Sequence, residues 1–323
     1  MRRFFSISWA PALVATLGVL ALGAATTSNF IDLRNFQNVI LQLAVVAILS
    51  MGAALIILTG EIDLSPGAMV SFLSMVLATL VARSGVPVGL SVVLVLLGGL
   101  LLGLLNGVLV TYLRVPSFVA TLGTMGVFGG FALLFNGGSP ITGLGDDVQN
   151  LFYGTLGPIP LPLVYMLVIA IVLRTLLVRT VPGRSIYAVG GNRTAAALSG
   201  LSPNGIRLLA FAISGVLTGF AAVLFAARLG AGSANLGSGL ELAAIAGAVV
   251  GGISLAGGRG HVLGALFGAT TIVLVQNILN LNAVRPMWQS IVQGIIIIGA
   301  VSLDSWRNSF DVRRLVRKGT SDA

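Results

Sequence analysis

The chain has 323 residues, 56% of them hydrophobic and 8% charged, with a mean hydropathy of +1.04; soluble domains carry about a quarter charged residues, so water is not its main solvent. Cysteine is absent, which excludes disulfides, thiol catalysis and cysteine-ligated metals or iron–sulfur clusters. The formal charge of +9 comes from 17 Arg and one Lys scattered through short loops and the C-terminal tail, a topogenic distribution that argues against a nucleic-acid partner.

In chain order, polar loops, Pro and Gly divide the sequence into ten apolar stretches, near 9–27, 38–58, 66–83, 88–112, 117–135, 162–180, 208–228, 240–257, 262–281 and 287–304. Each approaches the roughly 20 residues a helix needs to cross about 30 Å of hydrocarbon. The sequence therefore predicts an all-α integral membrane protein of about ten transmembrane helices. Residues 1–8 form a short N-terminal segment, 9–304 a single membrane unit and 305–323 a basic tail. Arg2 and Arg3 before the first apolar run resemble a secretory signal, but with nine more apolar stretches following, an uncleaved first span is simpler.

Ten crossings with both termini cytoplasmic place Arg114, Arg174, Arg179, Arg184, Arg193, Arg207, Arg259 and both basic ends on the inner side, and leave only Arg34, Arg83, Arg228 and Arg285 outside. Nine or eleven crossings would put the basic tail on the wrong side. Membrane lipid is thus an expected partner.

Glycines recur at four-residue spacing: Gly99, Gly103 and Gly107; Gly126 and Gly130; Gly215 and Gly219; Gly247 and Gly251; Gly260, Gly264 and Gly268. Small residues one turn apart let helix backbones approach closely in lipid, which predicts a Gly-rich, tightly packed bundle. The long connection from Asn136 to Leu161 falls at the middle, and a five-plus-five division would make the halves inverted repeats, with Glu61 and Glu241 as counterparts.

The sharpest local anomaly is Gly60-Glu61-Ile62-Asp63-Leu64-Ser65-Pro66-Gly67. Carboxylates beside membrane spans are costly unless paired or hydrated, so this segment reads either as a re-entrant functional break or as a short inner loop. Ser65 and Pro66 are a good N-cap and first helical residue. Asn38, Gln42, Asn106, Thr121, Thr124, Gln276, Asn277 and Gln293 are polar residues within spans; amides and hydroxyls suit a hydroxyl-rich solute and serve equally as interhelical glue. The candidate translocation path drawn from these is Glu61, Asp63, Ser65, Asn106, Thr121, Glu241 and Asn277.

Several chemistries are missing. Lys318 is the only lysine and no P-loop motif exists, so any ATP, with its Mg, must be hydrolysed by a partner. His261 alone makes no metal site. The run GGRGHVLG lacks the strand context of a dinucleotide fingerprint. Neither a cofactor nor a metal is expected in this chain, and an intramembrane enzyme has little to work with.

The inner connection 181–207, VPGRSIYAVGGNRTAAALSGLSPNGIR, is long, basic and contains a predicted short helix, Asn192 to Leu198, capped by Asn192. It suits docking of a cytosolic partner or contact with anionic headgroups. Here the sequence resembles the permease subunits of ribose-type bacterial ABC sugar importers, through Gly183, Arg184, Ile186, Tyr187, Ala188, Gly190, Gly191, Asn192, Ala195, Ala196, Ser199 and Gly200. ILTGEIDLSPG, VPSFVATLGTM and LELAAIAGAVVGGISLAGGRG agree in the same order, so the likeness covers roughly residues 30–305. The family usually has glycine where Glu61 stands and a valine-like residue where Pro66 stands.

The resemblance implies a bacterial inner-membrane permease that pairs with a second copy or paralogue, a cytoplasmic ABC ATPase and an extracytoplasmic solute-binding protein. It implies that the Gly183–Gly200 segment is the ATPase-coupling loop, where disruption of Arg184 or Gly191 should uncouple hydrolysis from uptake. An ion-coupled secondary carrier using Glu61, Asp63 or Glu241 is the competing expectation.

Overall fold

The computed structural model describes residues 9–319, with side chains described as far as 302. The expected N-terminal segment 1–8 and the last residues of the tail, 320–323, lie outside the described residues. Helix α1 spans Ala10–Thr26 and α2 spans Leu33–Leu58, started by Asp32, whose carboxylate accepts the Arg34 amide at 2.9 Å. At about 1.5 Å per residue, the 26 residues of α2 reach about 39 Å. Its first turns are mostly polar and exposed, whereas its most apolar stretch is 89% buried and apolar on every side because the bundle encloses it there.

Helix α3, Pro66–Ala78, continues as a π turn to Arg83; α4 is Val88–Thr111 and α5 is Ser117–Leu134. The long middle connection is itself folded. It carries strand β1 (Ile141–Thr142), the amphipathic helix α6 (Gly145–Tyr153) with Val148 and Phe152 buried, and the hairpin β2 (Thr155–Leu156) to β3 (Ile159–Pro160). Helix α7 is Leu161–Arg179, followed by α8 (Val181–Gly191), α9 (Arg193–Leu198) and α10 (Pro203–Leu229). Strand β4 (Ala231–Gly232) pairs antiparallel with β1, Ile141 opposite Gly232. Helices α11 (Leu240–Val250), α12 (Val262–Leu281) and α13 (Pro286–Gly319) complete the chain.

Among the described residues, seven helices are long and apolar enough to cross a membrane: α2, α3 with its π turn, α4, α5, α7, α10 and α12. Three shorter apolar helices, α1, α11 and the 286–302 part of α13, stand where the first, eighth and tenth crossings were expected. The eighth falls short of its expected range, 240–257. Helix ends at Val250 because a Gly-rich stretch follows, with Gly252, Gly257, Gly258 and Gly260 all at positive φ. Its 11 residues reach only about 16 Å.

The glycine patterns explain how the bundle closes. Where α4 crosses α10, Gly99 and Gly103 face Gly215 and Gly219, and a Cβ added to Gly103 would stand 2.9 Å from the Cα of Gly215. Where α11 meets α12, Gly247 and Gly251 face Gly264 and Gly268 in the same way. In α5 the pattern is present without a partner helix, since a Cβ on Gly126 or Gly130 meets nothing within 4 Å.

The connections bearing Arg114, Arg193 and Arg207 lie together at one end of the bundle, the basic end, joined through contacts such as Ile62 with Ser117 and Arg207 with Val110. Arg83 bonds Asn136 and Tyr153 bonds the Arg228 carbonyl at the opposite end. Each half of the chain contains a long helix, an irregular segment and a short helix that starts inside the bundle: α2, 59–65, α3 in the first half; α10, 230–239, α11 in the second.

Candidate translocation and coupling site

The first irregular segment begins at the basic end. Gly60, at φ +80°, turns the chain off α2, and residues 61–65 then run back among α4 and α5. Their backbone is satisfied by side chains: the Ile62 amide donates to Ser117 Oγ at 3.2 Å and the Leu64 amide to Thr121 Oγ1 at 3.1 Å. Asp63 Oδ1 accepts from the Ser65 amide at 2.8 Å and the Ser65 hydroxyl at 2.7 Å. Asn106 Nδ2 donates to Ser65 Oγ at 2.7 Å, while Asn106 Oδ1 is buried with no protein partner. Glu61, Asp63 and Ser65 are all buried, so the segment is an internal break and not a solvated loop. Helix α3 starts at Pro66 as expected, but Ser65 does not cap it; its hydroxyl turns back to Asp63.

The second irregular segment enters from the opposite end. After Gly230 and β4 it runs antiparallel to α3 along a row of small residues, with the Ser233 amide on Ser74 Oγ at 3.3 Å and the Gly237 amide on Ser71 Oγ at 3.0 Å. It ends at Glu241, in the first turn of α11. Glu241 Oε1 accepts the Gly239 amide at 3.2 Å, whereas Oε2 is buried without a partner and lies against Gly67, the second residue of α3. The amino-terminal ends of α3 and α11 therefore meet around one carboxylate, and both helix dipoles favour negative charge there.

The basic connection 181–207 is more helical than the expected short helix alone. Thr180 caps α8 by accepting the Gly183 amide at 3.2 Å, and Asn192 caps α9 by accepting the Ala195 amide at 2.9 Å, as its sequence predicts. The two helices bend over the basic end and touch both halves of the protein. Gly190 lies against the Leu58 carbonyl, which also accepts the Gly258 amide at 2.9 Å. Tyr187 donates its hydroxyl to the Gly260 carbonyl at 3.1 Å, and burial pushes its phenol above the ordinary range. Arg193 Nη2 stands 2.5 Å from Glu61 Oε1, and Arg207 Nη2 stands 2.7 Å from the same oxygen.

Of the residues singled out in this connection, Gly183, Tyr187, Gly190, Asn192 and Ala196 shape or seat it; Arg184, Gly191, Ala195, Ser199 and Gly200 face outward. Of the candidate path, Glu61, Asp63, Ser65, Asn106 and Thr121 form one cluster, with Glu241 on the far side of the α3 start. Asn277 lies apart, near the opposite end, in a reciprocal amide pair with Asn35: 3.0 Å in one direction and 2.7 Å in the other. Arg193 and Arg207 as the counter-charges of Glu61 were missed in the sequence, although a carboxylate in an apolar segment demands a cation and both belong to the basic connection. Among the described residues no cluster of His, Asp or Glu could hold a metal ion.

Residues 35–301 match the family model described as branched-chain amino acid transport system / permease component. The chain belongs to this permease family. It is 36% identical over 294 residues to the autoinducer 2 import system permease protein LsrC of Yersinia enterocolitica serotype O:8 / biotype 1B, covering 91% of this chain and 81% of the relative. The LsrC proteins of Yersinia pestis (strain Pestoides F) and Yersinia pseudotuberculosis serotype O:1b are also 36% identical, over 91% of this chain and 83% of theirs. No solved structure matches it. The 59–65 and 230–239 segments are non-helical backbone enclosed by the bundle, and α8–α9 lies across its basic end.

Proposed function

We propose that this permease is the membrane subunit of an ATP-driven importer in a bacterial inner membrane and carries a small sugar-like solute across it. The observation that carries this reading is the seating of α8–α9: one element at the basic end holds Leu58 and Glu61 of the first half and Gly258 and Gly260 of the second. A partner that displaced it would move both halves together. In this reading the basic end and both termini are cytoplasmic, following the Arg distribution. An ABC ATPase docks on the outward-facing Arg184, Gly191, Ala195, Ser199 and Gly200 and hydrolyses ATP with its Mg. A solute-binding protein delivers cargo at the opposite end, and a second permease copy or paralogue completes the passage. The permease makes and breaks no bonds.

For the cargo, the hydroxyl and amide groups of the Ser65, Asn106 and Thr121 cluster, with the Glu241 carboxylate across the start of α3, suit a hydroxyl-rich solute of the ribose kind or a related derivative. The relatives' names favour autoinducer 2 within that class. Uptake of labelled ribose and autoinducer 2 into proteoliposomes holding the permease, its ATPase and its binding protein tests the reading. Uptake that requires ATP and all three proteins supports it. Uptake by the permease alone, driven by a proton or sodium gradient, would instead support the second reading, an ion-coupled carrier. That reading is favoured by one observation, the unpartnered Glu241 Oε2 at two converging helix starts.

A further inference from the structure

The ion pairs on Glu61 are unequal. Arg207, in the first turns of α10, is 6% exposed; its Nη2 also reaches the Val110 carbonyl at 3.4 Å, and its Nε has no partner. This guanidinium depends on Glu61, since a buried cation left without its anion is strongly destabilising. Arg193, the first residue of α9, has its side chain 48% exposed and gives the same oxygen its shorter contact, 2.5 Å. An exposed arm of this kind exchanges its carboxylate for water at small cost. One carboxylate is therefore held by a fixed arm from the bundle and a releasable arm from the coupling element. The next residue, Ile62, begins the run of backbone bonds to Ser117 and Thr121 that sets the course of the break toward Ser65.

We propose that Glu61 is a positioning residue, the tie through which α9 holds the 61–65 break in place: Arg193 is engaged when the break is seated as here and lets go when the partner ATPase moves α9, while Arg207 stays bound throughout. The inference rests on the importer reading, in which α9 meets an ATPase. It assigns a role to Glu61 that a passage residue would not have, because the carboxylate is committed to two cations and not to cargo.

The absence of cysteine makes the test direct. Spin labels on Thr194→Cys and Ile62→Cys report the distance from α9 to the break in the assembled complex with its ATPase and binding protein, without nucleotide and with Mg-ATP trapped by vanadate. A single narrow distance without nucleotide that lengthens on trapping is expected. Arg193→Gln should broaden it without nucleotide and lower the stimulation of ATP hydrolysis by the binding protein at least fivefold, and Arg193→Lys should restore both. A distance and a stimulation unchanged in Arg193→Gln, with the complex assembled, would overturn the tie. Glu61→Gln should also lower thermal stability, because Arg207 loses its anion; if only stability falls, and stimulation does not, Glu61 is structural and the proposal fails. Cross-linking from Thr194→Cys to the ATPase separates the two levels: no cross-link with a distance that still depends on Arg193 would defeat the importer reading and leave the tie.

Discussion

Gly190 and the carbonyl group of Leu58 are in backbone contact, so close that a single added carbon on Gly190 would overlap the oxygen. The same oxygen receives the Gly258 amide, so the end of α2, the end of α8 and the stretch after α11 share one point. Gly190→Ala should therefore unseat α8 from both halves at once. The permease is expected to remain in the membrane, and ATP-driven uptake is expected to fall at least tenfold. Gly191→Ala is the counterpart, since a Cβ there meets nothing within 4 Å of this chain. Any loss of uptake in Gly191→Ala would report a partner's surface and not internal packing, and an ATPase pull-down with each variant separates the two.

The two faces of glycine in this bundle predict opposite results. A Cβ on Gly215 would overlap the Gly99 carbonyl and stand 2.9 Å from the Cα of Gly103, so Gly215→Ala must push α4 and α10 apart. Overpacking of this kind costs about 1–3 kcal/mol. Thermal unfolding of the purified permease in detergent should show the loss. Gly130→Ala has open space around it and should match the parent or exceed it, because alanine favours helix by up to about 1 kcal/mol over glycine.

Much of this organisation was legible locally. Pro66 as the start of α3 and Asn192 as the cap of α9 follow from residue chemistry within a few positions, and both are found where expected. The glycine spacing identified the faces of α4, α10, α11 and α12, but spacing cannot distinguish a face packed within the chain from one left open, as on α5. The extent of α8 was also hidden, because Gly and Pro normally punctuate loops, and here Thr180 and Pro182 begin a helix that tolerates Gly183 and Gly190 as packing contacts. Glu61 and Arg193 are 132 residues apart, and no local pattern pairs them.

Ser65 links the break to α4. Its hydroxyl accepts from Asn106 Nδ2 and donates to Asp63, while Asn106 Oδ1 already lacks a partner. Ser65→Ala would leave the whole Asn106 amide unpaired inside the bundle, at a cost of about 1–3 kcal/mol. A lower unfolding temperature is expected for Ser65→Ala, partly recovered in the double variant Ser65→Ala, Asn106→Leu, which removes the stranded amide. If the double variant is as stable as the parent but transports poorly, the pair contacts cargo; if it transports normally, the pair only braces the break.

Asn277 was a path candidate, and its geometry gives that role a sharp test. Its amide and that of Asn35 satisfy each other in both directions, joining α12 to the start of α2 close to the Phe30 carbonyl that Asn35 also bonds. Interhelical polar contacts in membranes average about 0.6 kcal/mol, and a reciprocal pair should lie above that. Asn277→Leu alone strands Asn35 and should be clearly destabilised, whereas Asn35→Leu with Asn277→Leu replaces both amides by apolar groups and should recover most of the loss. A double-mutant cycle on unfolding temperature measures the coupling. Uptake then decides the role: the recovered double variant should import at the parental rate if the amides are interhelical glue, and a double variant that is stable yet inactive would place Asn277 on the path of the solute.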